Sequence, residues 1–234
     1  MREYEEAYKH VLPKRMPVII RIDGKAFHTF LRHAEKPFDA NVKKAFDATA
    51  RDLVNEIDGA VFSYLQSDEI NILLNTYSSL GFSPYVGNEV QKLCSVSSSI
   101  ATAAFNWYYD TKTPVKAAFD SRCFVLPREE VANYFIWRQQ DWTRNSVQMT
   151  GRAYYSANQL NNKSCNEIQE MLWSKHDINW NDLPVWQRRG RCVYMKDGKP
   201  FIDDDIPIFT KDREFIEKFV FTGVDYEEEV QQDP

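Results

Sequence analysis

The stretch PVIIRIDG, residues 17–24, decides how the rest of the chain is arranged. It is an apolar run with strand character that ends on a carboxylate and a glycine. Side chains alternate between the two faces of an extended strand, which places Arg21 and Asp23 on one face and Ile20 and Ile22 on the other. The strand is therefore predicted to present a carboxylate at its C-terminal end.

Two further acidic residues, Asp68 and Glu69, lie in a polar break between two apolar strands in AVFSYLQSDEINILLN, residues 60–75. Carboxylates at a strand end and at a tight connection between strands can converge, and convergent acids repel each other unless a cation separates them. Oxygen ligands suit Mg²⁺. Our hypothesis is a site for two Mg²⁺ ions that handles nucleoside triphosphates. Taken alone, Asp23 is more typical of a turn acid before a glycine.

The apolar periodicity predicts a β-α-β-β-α-β order over the first half of the chain. The predicted elements are strand 17–23, helix 39–57 with Asp39 as its candidate N-cap, strands 60–65 and 69–76, helix 88–109 and strand 117–126. This order is typical of the ferredoxin-like, or split βαβ, fold of the α+β class, an antiparallel sheet with both helices on one face. Strands one and three are neighbours in such a sheet, so the topology itself brings Asp23 near Asp68.

The second half of the chain is predicted to be a long helix and an α/β extension. Helical patterns cover residues 128–157 and 164–174, and a basic turn then leads into a strand and a hairpin at KDGKPF. We expect residues 1–127 to form a catalytic domain, residues 128–224 to pack on it, and the acidic tail 225–234 to be disordered.

Composition excludes several functional classes. The chain has 234 residues, a net charge of −5 and only 8 glycines, and neither GxGxxG nor GxxxxGK[ST] is present. Its four cysteines form no CxxC pair, which argues against structural zinc and favours reduced thiols in a cytoplasmic protein. The start of the chain does not resemble a signal peptide, and no apolar run is long enough to span a membrane.

The net negative charge argues weakly against a nucleic-acid partner, but binding to phosphates depends more on a local basic patch than on net charge. Arg188, Arg189 and Arg191 cluster within four positions and form the best candidate for such a patch. A basic turn is also typical of an ordinary solvated surface, so the sequence leaves both interpretations open.

A set of motifs in fixed order resembles the tRNA-histidine guanylyltransferase family over residues 4–220, and most closely its bacterial, archaeal and phage-type "like" branch. The motifs are RIDGKAFHTF at 21–30, EKPFDANV at 35–42, QSDEINILL at 66–74, FDSRCFVLP at 119–127, WRQQD at 137–141, RNS at 144–146, INWNDLP at 178–184 and RRG at 188–190. RIDG or SDE alone would be a weak signal, whereas the ordered set is specific.

The resemblance implies a polymerase-type palm that adds nucleotides to the 5′ end of tRNA in the 3′-to-5′ direction. ATP first adenylylates the 5′-phosphate, and the 3′-hydroxyl of GTP or another nucleoside triphosphate then displaces AMP. In the "like" branch this addition is usually templated and repairs 5′-truncated tRNA. The resemblance also implies two Mg²⁺ ions and a homotetramer.

The resemblance assigns roles to individual positions of this chain. It implies that Asp23, Asp68 and the Gly24 carbonyl bind the metal ions and that Asp23, Asp68 and Glu69 are catalytic. The implied nucleotide-binding residues are Arg21, Gly24, Lys25, Ala26, Phe27, His28, Lys36, Ser67, Asp68 and Lys92, and the implied RNA-binding residues are Asn145, Arg188 and Arg189.

Two positions depart from the eukaryotic pattern. Thr143 replaces a histidine linked to selection of tRNA-histidine, which favours the "like" branch. Glu89 stands where the eukaryotic enzymes have a basic residue, which removes one expected phosphate contact. Two other functions remain open, a nucleotide cyclase or dinucleotide synthase on the same palm and a non-catalytic RNA-binding module. QSDEIN does not match a GG[DE]EF-type turn, and strand three lacks the exposed aromatic residues of an RNA-binding sheet.

Overall fold

The computed structural model describes residues 1–77, 81–110 and 116–221, and six strands in this part of the chain form one antiparallel sheet. Its order is β4-β1-β3-β2-β5-β6. The strands are β1 (Val18–Gly24), β2 (Ala60–Gln66), β3 (Glu69–Leu74), β4 (Phe119–Val125), β5 (Arg191–Lys196) and β6 (Lys199–Asp203). The first four have the predicted split βαβ order with β1 and β3 in the middle, and β5 and β6 extend the sheet beyond β2.

Nine α-helices lie in the described ranges. They are α1 (Arg2–Glu6), α2 (Phe27–Phe30), α3 (Ala40–Glu56), α4 (Val90–Tyr108), α5 (Arg128–Tyr154), α6 (Ala157–Leu160), α7 (Cys165–His176), α8 (Val185–Arg189) and α9 (Glu214–Val220). The expected basic turn is the end of α8, because Pro184 starts a short helix there. The predicted hairpin is present: Asp197 and Gly198 both have positive φ between β5 and β6. The predicted disordered tail lies outside the described residues.

The two faces of the sheet are covered by different helices. Val18, Ile20 and Ile22 pack under α3 and α4, so both helices of the βαβ unit lie on one face as predicted. Ile19 lies on the other face, in a core shared with α5 and α9. Because side chains alternate, Arg21 and Asp23 share the face of Ile19 and lie on the α5 side of the sheet. None of the described helices has the length and apolar character needed to cross a membrane.

Two local features position the loops around the end of β1. Asp39 caps α3, as predicted: its Oδ1 accepts hydrogen bonds from the backbone N–H of Asn41 and Val42 at 2.8 and 3.0 Å. Its Oδ2 accepts another from Glu35 N at 2.8 Å, which fastens the loop that carries Lys36. On the other side, α7 packs against the C-terminal half of α5 and holds that half over the β1 loop.

Candidate active site

Asp23 and Asp68 meet where β1 ends beside the β2–β3 turn. Asp23 is opposite Glu69 in the β1–β3 ladder, and the backbone N–H of Gly24 donates a 3.0 Å hydrogen bond to the Asp68 carbonyl. Ser67 takes a left-handed conformation, with φ of 47°, to close the tight turn. The structure therefore brings together the two carboxylates that the topology predicted to converge.

The pKa values of both carboxyl groups are raised. Burial is the main cause for Asp23, and the negative charges of Asp68 and Glu69 raise its pKa further while Arg21 opposes them. Burial also raises the pKa of Asp68, against a hydrogen bond with Ser67 that lowers it. Two crowded carboxylates of this kind are costly to ionise without a nearby cation, and a bound cation would relieve the repulsion.

Glu69 does not share this environment. It is 4% exposed, and Arg138 donates to its Oε1 and Oε2 at 2.8 and 2.9 Å. Asn71 and Gln66 donate further hydrogen bonds to it, and Arg21 forms another ion pair with it. Its charge is thus balanced inside the protein, and within the described ranges no three His, Cys, Asp or Glu side chains are grouped to hold a metal ion. Glu69 is therefore part of an internal ion pair, whereas Asp23 and Asp68 lie where β1 ends beside the β2–β3 turn.

A cleft of about 450 Å³ opens beside Asp68, within the size range of small-molecule sites. Seven of the ten predicted nucleotide-binding residues line it: Gly24, Ala26, Phe27, His28, Lys36, Ser67 and Asp68. Three residues from the C-terminal half of α5, Met149, Arg152 and Ala153, form the opposite wall. The cleft therefore joins the palm-like half of the chain to the long helix.

Comparison with known proteins places the chain in a family. The family model described as Thg1, tRNAHis guanylyltransferase, matches residues 1–127. The chain belongs to this family. Its members are enzymes that add nucleotides to the 5′ end of tRNA. The tRNA(His) guanylyltransferase of Schizosaccharomyces pombe is 31% identical over 80% of this chain and 77% of that protein.

Two solved structures of bacterial tRNA(His) guanylyltransferase (Thg1)-like proteins agree closely with the fold. A complex with ATP has a TM-score of 0.91 and 48% identity, and covers 94% of this chain and 97% of the other. A complex with GTP has a TM-score of 0.80 and 43% identity with the same coverage. The expected palm-type fold and family are thus confirmed.

Other family positions lie outside the cleft. Lys25 is exposed and does not line it, whereas Arg21 lies next to the two carboxylates and forms ion pairs with Asp23 and Glu69. Lys92 was predicted to bind nucleotide, but the structure places it elsewhere. Helix α4 packs alongside β4. Near the end of the sheet that carries Asp23, Thr102 Oγ1 accepts a hydrogen bond from Phe119 N at 3.2 Å.

Lys92 is ten residues from Thr102, or about 15 Å along the helix axis. It forms an ion pair with Glu89 at 3.2 Å, and Glu89 pairs with Lys9 as well. Within a single chain, the direction of α4 therefore carries Lys92 away from the two carboxylates.

The predicted RNA-binding residues lie together on α5 and α8. Thr143 Oγ1 donates to Arg188 O at 3.5 Å, which joins the two helices next to Asn145. Arg188 and Arg189 donate to backbone carbonyls, those of Leu183 at 2.6 Å and Ile206 at 3.1 Å. Their positive charges are not cancelled by these contacts and are available to an anion. Arg191, the third arginine of the cluster, forms a buried ion pair with Asp47 and is therefore not part of the basic patch.

Gly24 is required by the packing of the β1 loop in this family member. A Cβ at this position would lie 2.3–2.7 Å from ring atoms of Phe27. Phe27 is buried among Phe46, Phe105 and Phe119, so its ring cannot move without disturbing the core. The loop backbone is therefore held close to the cleft by a buried aromatic anchor.

We expect Gly24→Ala to destabilise the protein by about 1–3 kcal/mol through overpacking. It should also weaken the binding of ATP, because displacement of Phe27 moves the loop that lines the cleft. Urea unfolding and nucleotide titration measure the two effects. Gly81→Ala is the matched control, since a Cβ there meets nothing within 4 Å. Equal stability and equal nucleotide affinity in the two variants would contradict the assigned role of Gly24.

Proposed function

We propose that the cleft binds nucleoside triphosphates and that Asp23, Asp68 and the carbonyl of Gly24 hold Mg²⁺ beside it. The observation that supports this most directly is the position of Asp68, which lines a cleft together with Lys36 and Arg152, next to Asp23 at the end of β1. The pKa values of both carboxyl groups are raised. Bacterial relatives form complexes with ATP and with GTP, which supports nucleotide binding by this chain.

The residues present fit Mg²⁺. Proteins usually bind this ion through one or two carboxylates, with substrate phosphates and water completing the coordination, so a third acid is not needed. The donors here are all oxygen atoms. When bound, the ions neutralise charge on the phosphate oxygens and lower the pKa of the attacking hydroxyl.

The chain itself supplies further positive charge for the phosphates. Lys36 lines the cleft and donates a 3.2 Å hydrogen bond to Leu31 O, which orients its ammonium group without neutralising it. Arg152 lines the facing wall, and its side chain forms no ion pair or hydrogen bond within the described part of the chain. The two cations can hold a triphosphate in line with the attacking oxygen.

The proposed reaction has two steps. An oxygen of the RNA 5′-phosphate attacks the α-phosphorus of ATP, and pyrophosphate leaves. The 3′-hydroxyl of an incoming nucleoside triphosphate then attacks the 5′-phosphorus of the RNA, loses its proton and displaces AMP. We propose templated addition that repairs 5′-truncated tRNA rather than strict selection of tRNA-histidine, because Thr143 replaces the histidine linked to that selection.

The remaining assignments rest on the resemblance. We propose that residues 1–127 form the catalytic palm and that residues 128–224 pack on it, completing the cleft through α5. Arg188, Arg189 and Asn145 are proposed to contact RNA. A cytoplasmic homotetramer is proposed on the same basis.

The test uses a tRNA that carries a 5′-monophosphate and lacks its first nucleotide. With Mg²⁺ and ATP labelled at the α-phosphate, we expect an adenylylated RNA, and then an RNA lengthened by the nucleotide complementary to the opposite base. A 5′-triphosphorylated RNA should be lengthened without ATP. Formation of a cyclic product from a nucleoside triphosphate alone would favour a cyclase. RNA binding without turnover would favour a binding module, and either result overturns the proposal.

A further inference from the structure

A second groove runs along the exposed side of α3, away from Asp23. Its volume is about 420 Å³. Lys43, Lys44 and Arg51 of α3 form one side, and Tyr108 at the end of α4 and Ile202 of β6 complete it. We call it the basic groove. No motif quoted above includes Lys43, Lys44 or Arg51, and the proposed reaction does not use them.

The cations of the basic groove are not equally compensated. Lys43 pairs with Asp47 at 2.6 Å and with Asp204 at 2.9 Å. Asp47, the only acid among the lining residues, is neutralised a second time by Arg191. Lys44 and Arg51 are exposed, and their side chains form no ion pair or hydrogen bond with any other described residue. The groove therefore carries positive charge on a chain whose net charge is −5.

The spacing of the two uncompensated cations suits a polyanion. Lys44 and Arg51 are seven residues apart, close to two turns, so they lie on one face of α3 with their Cα atoms about 10.5 Å apart. A strand with a regular phosphate backbone matches two charges at this spacing better than one small anion does.

The basic groove is also connected to the candidate active site. Lys43 lines a small cavity of about 80 Å³ that is shared with Lys36 and Ser67. Both of those residues line the catalytic cleft. A cationic path thus leads from the cleft near Asp68, past Lys36 and Lys43, to Lys44 and Arg51.

We propose that the basic groove binds the phosphate backbone of the RNA whose 5′ end occupies the cleft. This inference rests on the proposed function. Lys44 and Arg51 contact phosphates, and Lys43 joins their site to the cleft. Such contacts carry no base information, so they position the RNA and raise its affinity regardless of sequence.

The salt dependence of RNA binding tests the groove. The variant Lys44→Gln/Arg51→Gln is compared with Lys175→Gln/Lys211→Gln, which removes the same charge from exposed positions outside the groove. The 5′-truncated tRNA is titrated at several salt concentrations by fluorescence anisotropy. The slope of log K against log[salt] should decrease by about 2 in the groove variant, near 1 for each lost phosphate contact. Affinity at 0.1 M salt should fall roughly tenfold or more.

The outcomes separate this inference from the proposed function. If the wild-type protein lengthens the RNA but both double variants bind it with equal affinity and slope, the groove proposal fails and the reaction stands. If the groove variant loses affinity only for inorganic triphosphate, the groove is a small-anion site and the proposal also fails. Lys44→Arg keeps the positive charge, so it should bind the RNA as the wild type does, whereas Lys44→Gln should bind it more weakly. Equal weakening in Lys44→Arg and Lys44→Gln would likewise count against the proposal.

Discussion

Replacing Asp68 with asparagine should lower the rate of nucleotide addition by about 100-fold or more, and Asp23→Asn should do the same. Each change keeps the shape of the side chain but removes one of two anionic groups beside the cleft. A neutral amide oxygen binds Mg²⁺ weakly, and the neighbouring acids Glu69 and Asp120 are already paired with Arg138 and Arg122. Single-turnover assays with the 5′-truncated tRNA measure the loss separately from RNA binding.

Asp120→Asn provides a matched control for these variants. Asp120 is opposite Asp23 on the next strand, is exposed, and pairs with Arg122 at 3.1 Å. It changes the local charge by the same amount without removing a proposed metal-binding oxygen. We expect its rate to stay within about tenfold of the wild type. An equal loss in all three variants would show that the reaction depends on the charge of this region rather than on two specific carboxylates.

Stability gives a second readout that does not depend on activity. The pKa values of Asp23 and Asp68 are raised in the folded protein, so the folded state holds protons more tightly than the unfolded state. In the metal-free protein the resulting destabilisation is absent below the unfolded pKa, near 4. It grows as the pH rises from there to the raised folded pKa values and is constant above them. At pH 7 the metal-free Asp68→Asn protein should be at least as stable as the wild type. Mg²⁺ should raise the melting temperature of the wild type alone.

Local patterns predicted the parts of the site that lie close together in the sequence. The alternation in residues 17–24 fixed the face of Asp23, and the two apolar runs around Asp68 predicted a hairpin whose register follows from its short turn. Asp39 was recognised as a cap because capping depends only on the next three residues. These features need no knowledge of distant parts of the chain.

The positions of other residues relative to the cleft depend on contacts between distant parts of the chain, which local sequence patterns do not predict. Arg152 reaches the cleft because α7 holds the second half of α5 in place, and no pattern near residue 152 encodes that contact. Glu69 resembles Asp68 in the sequence, but its partner Arg138 is 69 positions away. Lys92 has a family-like position on a helix whose direction along β4 carries it about 15 Å from the strand end.

The pairing of Glu69 with Arg138 leads to the second large effect, on stability. Both side chains are buried, and the Arg138 guanidinium contacts both oxygens of the carboxylate. Arg138→Met removes the bidentate partner and leaves a buried carboxylate with Arg21 as its remaining ion-pair partner among the described residues. We expect the free energy of unfolding to fall by about 3–5 kcal/mol, as measured by urea denaturation. Arg144→Met, which breaks an exposed ion pair with Asp141, should cost less than about 1 kcal/mol.

A double variant then separates a structural role for Glu69 from a catalytic one. Glu69→Gln in the Arg138→Met background removes the stranded charge and should recover a large part of the lost stability, because the two residues are in direct contact. If Glu69 acts by positioning β3 and Arg21, the refolded double variant should keep nucleotide addition within about tenfold of the wild type. If a stably folded double variant loses as much nucleotide-addition rate as Asp68→Asn does, Glu69 takes part in the reaction itself. The contacts of Glu69 favour the first result, because its carboxylate oxygens are already held by Arg138, Arg21, Asn71 and Gln66.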